Sequence, residues 1–310
     1  MCNEIAVSVM CNAYNHELYI EDALKGFVMQ KTNFLFEVLV HDDASTDRTA
    51  DIIREYEKKY PDLIKPIYQT ENQYSKNSTI IGDLQRSRAK GKYFAICEGD
   101  DYWTDPYKLQ KQFDAMEAHP EIDICAHAAT KTMGNKRAVM VAPSSKDCIF
   151  TLPEVIEGGG GFVVTNSLFY RGCLSQSKPE FRTFLSLDYT MQIHGSIRGG
   201  MLYLKDNMSV YRGVVANSWT DKMRGNENAF RKHNDKVIEM LNIFNKEFDG
   251  AYTDVVQRTA LNLRFNELYK ACDITNIRKE PYKELYRKLI LKRKVKLIIL
   301  GLIKKYLCKR

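Results

Sequence analysis

Ser-Arg-Ala-Lys-Gly-Lys-Tyr-Phe-Ala-Ile-Cys-Glu-Gly-Asp-Asp-Tyr-Trp-Thr-Asp, residues 87–105, decides how the chain is read. Within it Tyr93 to Cys97 is a short apolar run rich in β-formers, bounded by Gly91 and Gly99. That is the pattern of a strand buried on both faces. Glu98, Asp100 and Asp101 follow directly at its C-terminal end. Carboxylates crowded beside an apolar strand repel one another and resist desolvation unless a positive charge offsets them. A divalent cation holding a polyphosphate supplies that charge, since Mg2+ and Mn2+ take oxygen ligands and share them with a substrate. On this stretch alone, a solvated polar turn closing a strand stands as the plainer alternative.

Upstream, Ile5 to Cys11 reads as a strand, 12–16 as a loop, and Glu17 to Gln30 as a helix with Leu18, Ile20, Ala23, Leu24 and Phe27 at helical spacing. Phe34 to Val40 is a second strand that runs into His41-Asp42-Asp43-Ala44-Ser45-Thr46-Asp47. A helix from Thr49 to Tyr60 follows, with Thr46 or Asp47 as N-cap and Pro61 closing it. Leu63 to Tyr68 predicts a third strand and Ile80 to Lys90 another helix. Strands alternating with helices predict βαβ units, an α/β class and a largely parallel sheet. Ligands bind such sheets beyond the carboxyl ends of the strands. Three candidate strands end in Asn-rich or acidic loops, at 12–16, 41–47 and 98–101, and one sheet edge would collect them.

Downstream, Pro106 to Glu117 predicts a helix and Ile122 to Ala128 a strand, with 130–150 polar and irregular. Gly158 to Gly161 reads as a mobile loop over an acceptor pocket rather than a P-loop, because no Gly-Lys-Ser/Thr follows. Strand-like segments come at 162–164, 167–171, 201–204 and 208–212, and a short helix opens near Asp188. Asp188 is either a first-turn acid of that helix or a functional carboxylate. Charged helices then occupy about 225–248 and 252–272.

The 310 residues are 44% hydrophobic and 27% charged, enough to build a core either in one large α/β domain with an appendage or in two domains. The net charge of +7 is carried by the end of the chain, where Arg287 to Arg310 hold ten Lys or Arg and no acid. The remaining 36 bases face 39 acids, so the body is not built to bind polyanions. The eight cysteines include no Cys-x-x-Cys pair, and Cys97 and Cys125 fall in apolar runs as reduced core residues. Met1-Cys2-Asn3-Glu4 leads straight into a strand-like segment without a signal-peptide pattern, which with the cysteines predicts a cytoplasmic setting.

The segments from Val7 to His16, Asp42 to Thr49 and Arg88 to Trp103 resemble the family 2 glycosyltransferases, in particular bacterial enzymes that build surface glycans. The resemblance covers about residues 5–215. It implies a GT-A fold, a Rossmann-like mixed sheet with helices on both faces, plus a C-terminal helical extension. It also implies a nucleotide-sugar donor, usually UDP-linked, a divalent cation (Mn2+ or Mg2+), inversion at the anomeric carbon and a glycan or lipid-linked acceptor. Carried onto this chain, it places Ala13, Tyr14, Asn15, Asp42 and Asp43 around the nucleoside, Asp43 accepting from a uracil N–H, and Arg88 near the nucleotide. The family's metal-binding Asp-x-Asp falls on Glu98-Gly99-Asp100, setting Glu98 and Gly99 by the donor and Asp100 and Asp101 by the metal. Whether Glu98 or Asp101 makes the second contact stays open. Leu187-Asp188-Tyr189 matches the family's catalytic base at its Asp. Thr165-Asn166-Ser167 resembles the acceptor-side Thr-Ser-Ser, and Trp103 is placed on the acceptor side with Thr165 and Asn166. Tyr211-Arg212 matches a later motif, whose usual His and glycines are replaced here by Gly213-Val214-Val215-Ala216.

These expectations divide the chain into a catalytic domain, 1–220, and a helical region, 221–310. The nucleotide half of the first is about 1–105 and its acceptor half about 106–220. From Lys283 to Arg310, Leu, Ile and Val interleave with the bases, the pattern of a helix lying on an anionic membrane surface. That predicts a peripheral protein on the inner face of the cell membrane. A solvated or partner-packing helix is the alternative, and nothing else in the chain resembles a nucleic-acid module. The competing functions are a sugar nucleotidylyltransferase, which lacks its Gly-rich Arg-containing loop here, and a non-catalytic nucleotide- or metal-binding module.

Overall fold

The computed structural model describes residues 4–77, 79–134, 138–176, 178–185, 187–215, 221, 223 and 225–307, with side chains as far as 303. The chain forms two compact units, Met1–Ala216 and Asn217–Arg310. In the first, β1 (Ile5–Ala13), β2 (Leu35–Asp42), β3 (Ile64–Tyr68) and β4 (Tyr93–Ile96) pair in parallel as β3-β2-β1-β4. The helices between them, α1 (Ile20–Val28), α2 (Thr49–Lys59) and α3 (Ile80–Arg88), are the crossovers that parallel pairing requires. The carboxyl ends of β1, β2 and β4 therefore lie on one edge.

Beyond β4 the sheet is mixed. After β5 (Tyr102–Trp103) and α4 (Lys108–Ala118) come β6 (Ile124–Thr132), β7 (Ala138–Val141), β8 (Cys148–Phe150) and α5 (Leu152–Gly158). Then follow β9 (Phe169–Arg171), α6 (Glu180–Phe184), α7 (Asp188–Ser196) and β10 (Met201–Arg212). The sheet continues as β9-β6-β10-β5, with β7 on β6 and β8 on β10, and β9 runs antiparallel to both β4 and β6.

Two cores cover its faces. Ile20, Leu24 and Phe27 of α1, Ile53 of α2, and Leu109 and Met116 of α4 bury against one. Val155 of α5 and Met191 of α7 bury against the other. Strand alternation divides β6 between them, Cys125 going to the first core and Ile124, Ala126 and Ala128 to the second. Each fully buried Leu or Phe contributes about 1.5–3 kcal/mol. Gly91 is required where the chain enters β4, since a Cβ there would meet the Ser8 nitrogen at 2.5 Å.

Several expected elements differ. The helix expected from Glu17 begins at Ile20, because the amides of Tyr19 and Ile20 both bond to the His16 carbonyl in a preceding turn. Arg48 rather than Thr46 or Asp47 holds the N-cap position of α2, although Asp47 Oδ1 accepts from the Thr49 amide at 2.9 Å. The stretch 130–150, expected to be irregular, carries the end of β6 and all of β7 and β8. Residues 162–164 are not a strand, and Thr165–Ser167 is a 3-10 turn. The two strands expected at 201–204 and 208–212 are one, β10, whose pairing with β6 slips between Leu204 and Ser209. A bulge absorbs the polar Lys205-Asp206-Asn207 that read as a break.

The second unit is helical: α8 (Glu227–Glu247), α9 (Thr253–Lys270), α10 (Ile274–Ile277), α11 (Lys283–Lys288) and α12 (Leu291–Leu307). Met240, Leu241 and Phe244 of α8 and Val255 and Val256 of α9 are buried, and Asn234 donates to Glu267 across the pair at 2.8 Å. Leu297 of α12 packs with Phe265 and Ile277, while Leu291 and Leu302 remain exposed. Among the described residues no helix is long and apolar enough to cross a membrane. The expected boundary near 220, Trp219, and the last bases, Lys309 and Arg310, lie outside the described residues.

Candidate active site

Three loops meet at the carboxyl edge, and main-chain hydrogen bonds join them. The Asp43 amide donates to Ala13 O at 2.9 Å, and the Gly99 amide to Asn12 O at 2.8 Å. Side chains complete the seam. Thr46 N donates to Asn15 Oδ1 at 2.8 Å, His16 N to Thr49 Oγ1 at 2.7 Å, and Glu17 N to Asp47 Oδ2 at 3.0 Å. Asn15 and Ala44 both hold positive φ, 55° and 62°, a left-handed conformation that non-glycine residues rarely adopt and that gathers at functional sites. Tyr14 is exposed on this loop and Ala13 is buried beneath it.

The paired acids after β2 are both buried. Both oxygens of Asp43 accept main-chain bonds, from Gln73 N at 2.7 Å and Tyr74 N at 3.0 Å. Asp43 is thus buried and braces the 73–74 turn, each of its oxygens keeping a second lone pair. Asp42 is equally buried: Oδ2 takes the Ser45 amide at 3.2 Å, and among the described residues Oδ1 has no hydrogen-bond partner. Arg88 donates to the Lys65 carbonyl near the start of β3 and to Gln85, whose amide bonds to Cys11 O and Leu39 O.

The loop after β4 holds the acids. Glu98 is partly exposed, and burial, then the charges of Asp100 and Asp188, push its pKa up to about 8. Asp101 is fully buried, and burial and Asp100 hold its pKa well above the usual carboxylate range. Its Oδ1 accepts the Arg212 amide at 2.7 Å, so the metal role expected for Asp101 falls on a carboxylate already turned inward. Arg212 closes the loop further: Nη1 donates to the Asp100 carbonyl at 2.8 Å and Nη2 pairs with Asp22. Its guanidinium lies over the rings of Tyr102, at 4.5 Å, and Tyr19, at 5.1 Å. Gly99 is obligatory, since a Cβ would meet His16 Nδ1 and Ile20 Cδ1 at 2.9 Å.

On the acceptor side, two of the three expected residues are buried. Trp103 is 2% exposed, edge-on to Phe27 at 5.0 Å, and its Nε1 donates to Asn166 O at 3.0 Å. Asn166 is buried too, donating to Val210 O at 2.8 Å and accepting from Ser209 Oγ at 2.9 Å. Neither offers a surface to an acceptor. Thr165 instead donates its hydroxyl to Asp188 Oδ2. Asp188 is the first residue of α7 and is exposed, yet enough protein surrounds its carboxyl that burial raises its pKa, with Thr165 opposing. Its charge reaches Glu98 and Asp101, whose pKa values it raises. The glycine run borders the same place, since a Cβ on Gly160 would touch Tyr189 at 3.5 Å.

His16 went unremarked in the sequence. It is half-buried, its Nδ1 has no partner, and the charges of Asp100, Asp47 and Asp42 act on it against a burial that lowers its pKa. A histidine after Asn15 carries no signal of its own; only the fold sets it among three acids. Among the described residues no three His, Cys, Asp or Glu side chains converge to hold an ion unaided. The donor set nevertheless fits a divalent cation that takes Asp100, with Glu98 beside it, and completes its shell from a bound ligand's oxygens. The uncompensated crowding at Glu98 and the unpartnered Asp42 Oδ1 are what such a ligand and cation would relieve.

Residues 8–171 match the family model described as Glycosyl transferase family 2. An uncharacterised protein of Mycobacterium tuberculosis is 34% identical over 233 residues, 70% of this chain and 63% of that protein, so the chain spans under two thirds of that relative. TuaG of Bacillus subtilis, a putative teichuronic acid biosynthesis glycosyltransferase, is 36% identical over 110 residues, 36% of this chain and 41% of its own length. Among solved structures, S. aureus TarS superposes with a TM-score of 0.61 at 20% identity, over 96% of this chain and 79% of that one. TarS has been solved with UDP and with UDP-GlcNAc.

Proposed function

The chain belongs to glycosyl transferase family 2, and from that premise we propose that it moves a sugar from a UDP-sugar to a hydroxyl of a glycan or lipid-linked acceptor, with inversion. Surface-polysaccharide assembly is the setting, as the similarity to TuaG supports. The observation that carries the reading is the gathering of the loops after β1, β2 and β4 at one sheet edge, joined by the Asp43 N to Ala13 O and Gly99 N to Asn12 O bonds. Asp188 lies near enough for its charge to act on Glu98 and Asp101. A base and a diphosphate-binding loop must flank one anomeric carbon for a single in-line displacement.

The nucleoside rests on the loops at 13–15 and 42–45, with the Asp42 and Asp43 carboxylates at its polar edge and Asp43 accepting from the base N–H. Asp188 takes the proton of the acceptor hydroxyl as the new bond to the anomeric carbon forms and the bond to the diphosphate breaks. Asp100, with Glu98, would hold Mn2+ or Mg2+, which when bound would supply positive charge to the leaving diphosphate. Similarity to TarS, solved with UDP and UDP-GlcNAc, supports UDP as the nucleotide. UDP release from a panel of nucleotide sugars, with Mn2+ present or withheld, tests the reading. No release from any donor would leave a non-catalytic binder, and pyrophosphate consumption would mark a nucleotidylyltransferase.

Catalysis is assigned to residues 1–220 and membrane attachment to 221–310. Ile290, Leu291, Val295, Ile299, Leu302 and Ile303 are exposed among exposed Lys292, Arg293 and Lys296, which supports a helix lying on anionic headgroups at the inner face of the cell membrane.

A further inference from the structure

The 3-10 turn Thr165–Ser167 is held from several directions. Ser167 Oγ donates to Val164 O at 2.6 Å and Gln112 Nε2 to Ser167 O at 2.9 Å. Asn166 is locked to Ser209 and Val210 of β10, and its carbonyl takes the indole N–H of Trp103, two residues past Asp101. From this fixed turn Thr165 extends its hydroxyl to one oxygen of Asp188. An exposed aspartate at a helix start otherwise turns about χ1 and χ2, presenting either oxygen in many directions.

We propose that Thr165 is the positioning residue for Asp188, pinning Oδ2 so that Oδ1 is aimed at the acceptor hydroxyl, with Asn166 and Trp103 tying that aim to the acid loop. The proposal presupposes Asp188 as the base. The carboxylate needs one oxygen for orientation and one for the proton, and the hydrogen bond separates those duties. The threonine methyl restricts χ1 and keeps the hydroxyl on target. A small error in aim is costly in such a site, a displacement of about 1 Å lowering the rate by about 10²-fold. The ionisable groups in reach of Asp188 are Glu98 and Asp101 of the acid loop and Tyr170 of β9. The Asp188 charge raises the pKa of both acids, and the Thr165 hydroxyl favours the charged form of Asp188.

The test compares Thr165→Val, which keeps the shape, and Thr165→Ser, which keeps the hydroxyl, in the full chain. The Asp188 carboxyl carbon is followed by 13C NMR through a pH titration and identified by its loss in Asp188→Asn. The expected result is a midpoint above wild type in Thr165→Val and one returned toward wild type in Thr165→Ser. With UDP-GlcNAc and Mn2+, UDP release by Thr165→Val should fall about tenfold in kcat with KM unchanged, and its acid limb should move to higher pH. A Thr165→Val midpoint equal to wild type, or Thr165→Ser behaving like Thr165→Val, overturns the proposal. Failure of the base assignment looks different: Asp188→Asn releases UDP at the wild-type rate while the midpoint still moves in Thr165→Val.

Discussion

The main-chain amide of Arg212 donates to Asp101 Oδ1 at 2.7 Å, joining residues 111 positions apart. Through that bond, and through the guanidinium on the Asp100 carbonyl and Asp22, the last residue of β10 determines the shape of the acid loop. Arg212→Met should keep the backbone bond yet lose the other two contacts. Charge-assisted bonds of this kind are worth about 1.5–3 kcal/mol each, so a visible fall in Tm is expected. Mn2+-dependent UDP affinity, measured by calorimetry, should fall about tenfold or more. Arg212→Lys should recover little, because an ammonium cannot reproduce the planar fork. Full affinity in Arg212→Met would show that the loop holds its own shape.

Asp100→Ala should abolish the Mn2+ dependence of UDP binding, while metal-free binding stays near its wild-type level. Calorimetric titration with and without Mn2+ reads both. An unchanged metal response removes Asp100 as ligand.

Replacing Asp188 by Asn keeps the size of the side chain and removes its basicity. Turnover should drop by about 10² or more, in line with the usual worth of a general base, with the UDP dissociation constant unaltered. Near-normal turnover would take the role from Asp188.

His194 makes stability depend on pH. Burial and then the Arg182 guanidinium, whose Nη1 lies 2.8 Å from Nδ1, lower its pKa to about 4. An unfolded chain returns it to about 6.5. Between those values the unfolded state binds the extra proton, so its contribution is complete above about pH 6.5 and is lost as pH falls through 4. From pH 7 to 5 wild type should lose about 1–2 kcal/mol more than His194→Gln in urea unfolding. Parallel losses in the two proteins would refute the assignment.

For the last helix the measurement is flotation with phosphatidylglycerol vesicles. Full-length chain should float and a chain ending at Glu280 should stay at the bottom, with the difference shrinking at high salt as headgroup attraction is screened. Equal flotation of both would exclude the helix as the anchor.

Most of the first unit was legible because its signals are local. The apolar runs of β1, β2 and β4 and the helical spacing of Ile20, Ala23, Leu24 and Phe27 each lie within about a dozen residues. Helix α5 was legible in principle: Thr151 and Glu154 form a capping box around Leu152-Pro153, a local start signal just ahead of the glycine run. β7 gave no such cue, since Val139 and Met140 are both exposed and do not alternate. β10 looked like two strands because its bulge is paired only by β6, some 80 residues earlier.

The site divides in the same way. Sequence alone determined that acid-bearing loops follow parallel strands, and hence that Asp42, Asp43, Glu98 and Asp100 share one edge. Only the tertiary structure decided which partners their oxygens meet there. Asp43 braces Gln73 and Tyr74, Asp101 turns to Arg212, and Thr165 and Asn166 serve Asp188 and β10. Secondary structure follows from patterns within one or two turns of chain. Which donor a carboxylate oxygen meets depends on what the fold brings within about 3 Å, and that donor lies tens of residues away in the chain.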